Sequence, residues 1–82
     1  MSFDKSKPSV LLEFNAAAQP SLDEVKRLFK LADNEIDEKF GVIALAKQDY
    51  VIVVSAEAGK RIEKASIPGF KQNWSNPPIG PM

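Results

Sequence analysis

Apolar residues recur at every second position in several segments of the chain, which is the spacing of a pleated strand. In the first segment, residues 9–14, the apolar side chains on one side of the predicted strand are Val10, Leu12 and Phe14. Leu11 and Glu13 lie on its other side. Residues 50–54 are apolar on both sides, which predicts a strand in the middle of a sheet. The remaining predicted strands are residues 36–46, firmest over 40–46, and residues 70–75.

Other segments follow the 3.6-residue spacing of an amphipathic helix. Ser21 and Glu24 form the S-x-x-E capping box that opens the first helix, and this helix is predicted to end near Asp33. Its apolar stripe consists of Leu22, Val25, Leu28, Phe29 and Ala32. Ser55 caps the second helix, residues 56–64. The inner stripe of that helix consists of Ala58, Ile62 and Ala65.

The predicted order of elements is therefore β-α-β-β-α-β, the ferredoxin-like pattern of an α+β domain. In this arrangement the first and third strands lie in the middle of a four-stranded antiparallel sheet, and both helices cover one face. The apolar segments 9–14 and 50–54 fit those central positions. We expect one ferredoxin-like domain over residues 1–75, followed by a tail over residues 76–82.

Charge and composition narrow the classes of function. Eleven basic and eleven acidic residues cancel, which argues against bulk attraction to nucleic acid or to an anionic membrane. The chain has no histidine and no cysteine, which excludes a Ser-His-Asp triad, a thiol nucleophile and a disulfide framework. We therefore expect a chain that is not an enzyme and that uses no cofactor and no metal.

Targeting signals are missing from the sequence as well. No apolar run approaches the roughly 18 residues of a membrane-spanning helix, and no signal-peptide apolar region follows Met1. This favours a cytoplasmic protein with no membrane partner. A secreted protein is the alternative if the chain is an excised fragment.

The residues after 75 read as an extended, apolar tail. Prolines at positions 77, 78 and 81 each lack an amide donor and fix φ, so the tail cannot form the interior of a helix. Each proline also favours extended geometry in the residue before it. Large apolar side chains stand at Ile79 and Met82. We expect a stretched end that another protein's groove can hold, and a frayed terminus is the alternative.

The second half of the chain resembles the propeptide domains of the subtilisin family. The resemblance lies in the strand 50–54, an alanine-rich helix, the turn Ile67-Pro68-Gly69-Phe70 and the extended segment 74–79. These domains act as inhibitors and intramolecular chaperones of the protease, and some relatives are free-standing inhibitors. The order of elements agrees over the whole chain, and the residue types agree over residues 50–79 only.

The resemblance implies that the sheet packs on a protease and that the tail lies in its cleft like a product. Met82 would then fill the primary specificity pocket, with Pro81 and Gly80 extending back from it. Ile79 would fill the apolar pocket three residues earlier, the tail backbone would add as a strand to the enzyme, and the terminal carboxylate would lie near the oxyanion hole. Nothing follows Met82, which indicates a free-standing inhibitor or an excised fragment.

One departure from the family concerns the residues before the tail, which are acidic in the family. They are Lys71, Gln72 and Asn73 in this chain, which puts a salt bridge to the enzyme in doubt. Phe70, Gln72 and Trp74 are predicted to share one side of the last strand. We expect Trp74 either to pack within the domain or, if it is exposed, to anchor a partner.

Two other functions stay open. The chain could be an assembly module that forms homo-oligomers through an edge strand or through the sheet face away from the helices. That face would carry either Leu11, Val51 and Val53 or the opposite set of side chains. It could also bind nucleic acid through basic rows on the two helices, although interleaved acidic residues favour a solvated surface. The rows consist of Lys26, Arg27, Lys30, Lys60, Arg61 and Lys64.

Overall fold

The computed structural model of the chain describes residue 3 and residues 7–74. The predicted boundary between domain and tail lies outside these residues. The elements run in the order β1 (Ser9–Asn15), α1 (Leu22–Phe29), β2 (Ile43–Ala46), β3 (Asp49–Ser55), α2 (Ala56–Ala65) and β4 (Phe70–Trp74). This is the predicted β-α-β-β-α-β succession.

The four strands form one antiparallel sheet in the order β2-β3-β1-β4. The apolar strands β1 and β3 are central, as predicted, and Leu12 lies opposite Ile52 in their register. β2 and β4 are the edges. The fold is therefore a ferredoxin-like α+β sandwich.

The main core lies between the helices and one face of the sheet. The even-numbered residues of the central strands point into it, and α1 and α2 close it from the other side. Its buried members are Leu12, Phe14, Val25, Phe29, Leu31, Ile36, Tyr50, Ile52, Val54, Ala58 and Ile62. The rings of Phe14 and Phe29 meet edge to face, with centroids 5.3 Å apart.

Helix α2 approaches the sheet closely because residue 59 is glycine. A Cβ at Gly59 would lie only 2.7 Å from Cγ2 of Val10. Gly59 is buried beside Ala58 and Ile62, whereas Ala65, predicted on the inner stripe, is exposed. Ser55 caps this helix as predicted, because its side chain accepts a hydrogen bond from the Ala58 amide.

Helix α1 begins as predicted and ends earlier than predicted. Both halves of the capping box between Ser21 and Glu24 are present. The helix stops after Phe29 because Lys30 takes a left-handed conformation with φ of 53°, and the Leu31 amide donates back to the Lys26 carbonyl at 2.8 Å. This turn buries Leu31 in the core. Leu28, predicted on the inner stripe, is 45% exposed.

Strand β2 is shorter than predicted. Asp37 accepts hydrogen bonds from the amides of Lys39 and Phe40, which folds the preceding residues into a turn. Gly41 then takes a positive φ of 72°, so the strand begins only at Ile43. Ile36, the first residue of the predicted strand 36–46, makes an isolated antiparallel bridge with Val54.

Candidate functional site

The sheet face away from the helices carries a buried carboxylate. Glu13 alternates with Leu12 and Phe14 along β1, so its side chain points to the opposite face. It is 4% exposed, and among the described residues it is the buried charged one. The sequence pattern placed Glu13 on the same side of the strand as Leu11, but Glu13 was not predicted as a site residue. The available signal was an acidic residue in the middle of an apolar strand that the pattern placed at the centre of the sheet.

Glu13 is held by side chains of β4. Its Oε1 accepts hydrogen bonds from Nε2 of Gln72 and from the indole Nε1 of Trp74, both at 3.0 Å. Its Oε2 lies 3.2 Å from Nζ of Lys71. A carboxylate on a central strand thus binds three residues of the neighbouring edge strand. We call Glu13, Lys71, Gln72 and Trp74 the Glu13 cluster.

A bulge in β4 brings these donors onto one face. Phe70 pairs with Phe14 and Gln72 pairs with Glu13, and the register between them is shifted by one residue. Lys71 is the additional residue, and the bulge directs its side chain to the same face as that of Gln72. The predicted sharing of one side by Phe70, Gln72 and Trp74 is therefore wrong, because Phe70 packs against the main core.

A second carboxylate borders the cluster. Lys71 Nζ lies 3.6 Å from Oδ2 of Asp49, so the ammonium group bridges Asp49 and Glu13. Oδ1 of Asp49 is buried and has no hydrogen-bond partner among the described residues. The cluster and Asp49 together hold two carboxyl groups and one ammonium group, which gives a net charge of −1 when all are ionised.

This arrangement moves the pKa values of the two carboxyl groups in opposite directions. Burial raises the pKa of Glu13, but hydrogen bonding with Asp49, Trp74, Gln72 and Lys71 outweighs burial and lowers it to about 2. Hydrogen bonding with Glu13 and burial raise the pKa of Asp49. Hydrogen bonding with Glu13 also raises the pKa of Lys71. Glu13 is thus the member of the pair that ionises more readily.

The geometry suits holding a strand better than acid–base chemistry. Both oxygens of Glu13 already have donors from this chain, and little of the side chain reaches solvent. A general acid or base needs an open position beside the reacting proton. Among the described residues no group of three or more metal-binding side chains occurs.

The predicted site residues fall into two groups. Trp74 is half-buried and donates its indole hydrogen to Glu13, so it belongs neither to the main core nor to a free surface. The other predicted site residues lie outside the described residues: Ile79, Gly80, Pro81 and Met82.

The predicted apolar patch on this face is largely covered. Of the two sets left open by the sequence, the one with Leu11 and Val51 points away from the helices, yet these two residues are 2% and 1% exposed. Val53 is half-buried. The larger exposed apolar side chains of the described part are Leu28 on α1, and Ile43 and Leu45 on the edge strand β2. Ile43 pairs with Val51 and therefore shares its sheet face.

The predicted basic rows on the helices are partly neutralised. Lys26 Nζ pairs with Asp33 at 3.0 Å and with Glu38, and these two carboxylates, Glu38 first, raise its pKa. Arg61 donates hydrogen bonds from Nη1 to Oε2 of Glu35 at 2.8 Å and from Nη2 to Oε1 of Glu35 at 3.0 Å. Cations held by carboxylates of the same chain attract phosphates weakly, so these rows are poor candidates for a nucleic-acid surface.

Comparisons with known proteins found no matching family, no matching curated protein and no matching solved structure. The resemblance to subtilisin propeptides therefore stays a prediction that rests on the residues quoted for it. Within residues 7–74, neither helix has the length and apolar character needed to cross a membrane.

Proposed function

We propose that this chain is a non-enzymatic protein-binding module that offers its tail, residues 76–82, to the cleft of a subtilisin-like serine protease. It would act there as an inhibitor or as a folding chaperone. The observation that carries the proposal is the anchoring of β4. This edge strand ends at Trp74, its last residues are tied to Glu13, and the proline-rich tail follows immediately in the sequence.

The anchoring matters because a tail binds better when its starting point is fixed. A segment that is already ordered at one end loses less entropy when it docks. Prolines 77, 78 and 81 reduce the freedom of the tail further. In the cleft, Met82 would occupy the primary specificity pocket and Ile79 the apolar pocket three residues earlier. The backbone between them would pair with the enzyme as an added strand.

Inhibition of subtilisin by the full chain and by a chain that ends at Asn76 tests the proposal. Two apolar side chains that enter pockets contribute about 1.5–3 kcal/mol each when fully buried. Removing them should therefore weaken inhibition by about 100-fold or more. The substitutions Ile79→Ala and Met82→Ala should each reproduce part of this loss, and Lys64→Ala on the outer face of α2 is the matched control. Equal potency of the two chains would remove the tail from the mechanism.

A second candidate, an assembly module, is favoured by the composition of β2. All four residues of this edge strand are exposed, and Ile43 and Leu45 are 45% and 50% exposed. The strand, Ile-Ala-Leu-Ala, contains neither a charge nor a proline, which are the usual guards of a sheet edge. Pairing of β2 with β2 of a second copy would cover these side chains.

Light scattering over a wide range of protein concentration tests this second candidate. A dimer that dissociates on dilution, and that Leu45→Lys converts to a monomer, would support it. The substitution Leu28→Lys places the same charge on an exposed apolar residue of α1 and is the control. A strict monomer at all concentrations would count against an assembly role.

A further inference from the structure

We propose that Glu13 is a positioning residue for the tail: it fixes the end of β4 and so determines where the chain leaves the sheet toward its partner. This inference rests on the proposed function, because the tail is the binding segment there. Glu13 itself would not touch the protease cleft. Its effect would pass through Gln72 and Trp74, whose side chains it holds.

The first step of the argument is the directionality of the contacts. Gln72 and Trp74 both donate to the same oxygen of Glu13 at 3.0 Å, and they are alternate residues near the end of β4. Hydrogen bonds to an ionised carboxylate are shorter and stronger than those between neutral groups. They hold each donor to one direction, which apolar contacts do not. The last residues of the strand are thereby held in one register against β1.

The second step is that the same strand end is held from the other face. Asn73 lies between Gln72 and Trp74 in sequence, and its side chain points toward the helices. Its Nδ2 donates to the Gly59 carbonyl of α2 at 2.9 Å. Residues 72–74 are therefore bound alternately to β1 and to α2. An edge strand that only paired with its one neighbouring strand would be held less firmly than these residues are.

The third step concerns the cost of burying a carboxylate. Glu13 shares its sheet face with Leu11 and Val51, which are apolar and buried. A leucine at position 13 would avoid the desolvation cost of a charge, but it would leave the donors of Lys71, Gln72 and Trp74 without an acceptor, and removing one partner of a buried pair is strongly destabilising. Position 13 therefore needs an acceptor as long as β4 carries these donors, and the place of that acceptor sets the direction in which they point.

A double-mutant cycle of Glu13→Gln and removal of residues 77–82 tests the inference with subtilisin as the probe. Glutamine keeps the shape of the side chain and removes its charge. We expect Glu13→Gln to weaken inhibition by the full chain about tenfold, since two charge-assisted hydrogen bonds and an ion pair lose strength. It should leave the affinity of the chain ending at Asn76 unchanged. Glu63→Gln, on the exposed face of α2, is the matched control.

The outcomes separate positioning from mere stabilisation. If Glu13→Gln changes affinity by the same factor in both chains, its effect does not pass through the tail, and the inference is wrong although the proposed function stands. If the unmodified full chain does not inhibit subtilisin, the proposed function and the inference fall together. If Glu13→Gln fails to fold, Trp74→Phe removes one donor and carries the same cycle.

A second readout does not depend on inhibition. Trp74 is the one tryptophan of the chain, so its indole hydrogen gives a single, assigned NMR signal. We expect slow exchange of this hydrogen with solvent in the unmodified protein and exchange at least about tenfold faster in Glu13→Gln, because the acceptor is weakened. Glu63→Gln should exchange like the unmodified protein. Unchanged protection in Glu13→Gln would show that Glu13 does not hold Trp74 and would overturn the inference.

Discussion

Different interactions stabilise the two faces of the sheet, although the same central strands build both. Toward the helices, β1 and β3 present Phe14, Ile52 and their even-numbered neighbours to a continuous apolar core. Away from the helices, β1 presents Glu13 to an ammonium group, an amide and an indole of β4. The first face depends on buried area and the second on directed bonds and charge.

Of the two sheet faces, the one that packs in the apolar core should show the largest loss of stability on substitution. Phe14 is fully buried and contacts the rings of Phe29 and Tyr50. Phe14→Ala should cost about 3–5 kcal/mol, because it removes apolar contacts and leaves a cavity. A small domain has roughly 5 kcal/mol in total, so only about 0–2 kcal/mol should remain in the variant. Urea titration followed by circular dichroism measures this. Leu28→Ala, at an exposed position, should change the unfolding free energy by less than about 1 kcal/mol.

The Glu13 face should respond to acid, which the apolar core cannot do. The pKa of Glu13 is about 2 in the folded protein and close to 4.5 when the chain unfolds. The unfolded state therefore binds the proton first, and stability present above pH 4.5 is lost as the pH falls toward 2. The loss should reach up to about 3 kcal/mol. Thermal unfolding between pH 6 and pH 2 measures it, and Glu13→Gln should flatten the curve. An equally steep loss of stability with falling pH in Glu13→Gln would show that other groups cause the response to acid.

Asp49 should show a smaller effect of opposite sign. Its pKa is raised in the folded protein, chiefly by Glu13, so its ionised form is disfavoured there. Its stabilising contribution is present at low pH and is lost as the pH rises through the raised pKa. Asp49→Asn should therefore melt at a higher temperature than the unmodified protein at pH 7. The difference should shrink at acidic pH. A variant that is less stable at pH 7 would contradict the prediction that the ionised form of Asp49 is disfavoured beside Glu13.

The sequence predicted the parts of the fold that depend on local rules. The capping box at Ser21 and Glu24 and the cap at Ser55 are short-range hydrogen bonds between near neighbours, and both are present. The central positions of β1 and β3 followed from their apolar character. The end of α1 was placed too late, because nothing in the local pattern shows that Lys30 adopts a left-handed turn in order to bury Leu31.

The candidate site was harder to predict than the fold. Trp74 was selected for its residue type, and its partner Glu13 stands 61 residues earlier in the chain. The bulge at Lys71 reverses the expected alternation of side chains, and a period of two cannot reveal an inserted residue. Prediction of the site would therefore have required the register between β1 and β4, which are distant in sequence.

The sequence by itself determined the class of the domain, the order of its elements and the central position of β1 and β3, because these follow from the spacing and the apolar character of residues along each segment. It also determined which reactive groups the chain does not possess, since histidine and cysteine are absent. Only the tertiary structure decided that Glu13 is buried, ionised and bound to the end of β4. The pKa and the contacts of a carboxyl group depend on what lies around it in space, and here those neighbours come from the other end of the chain.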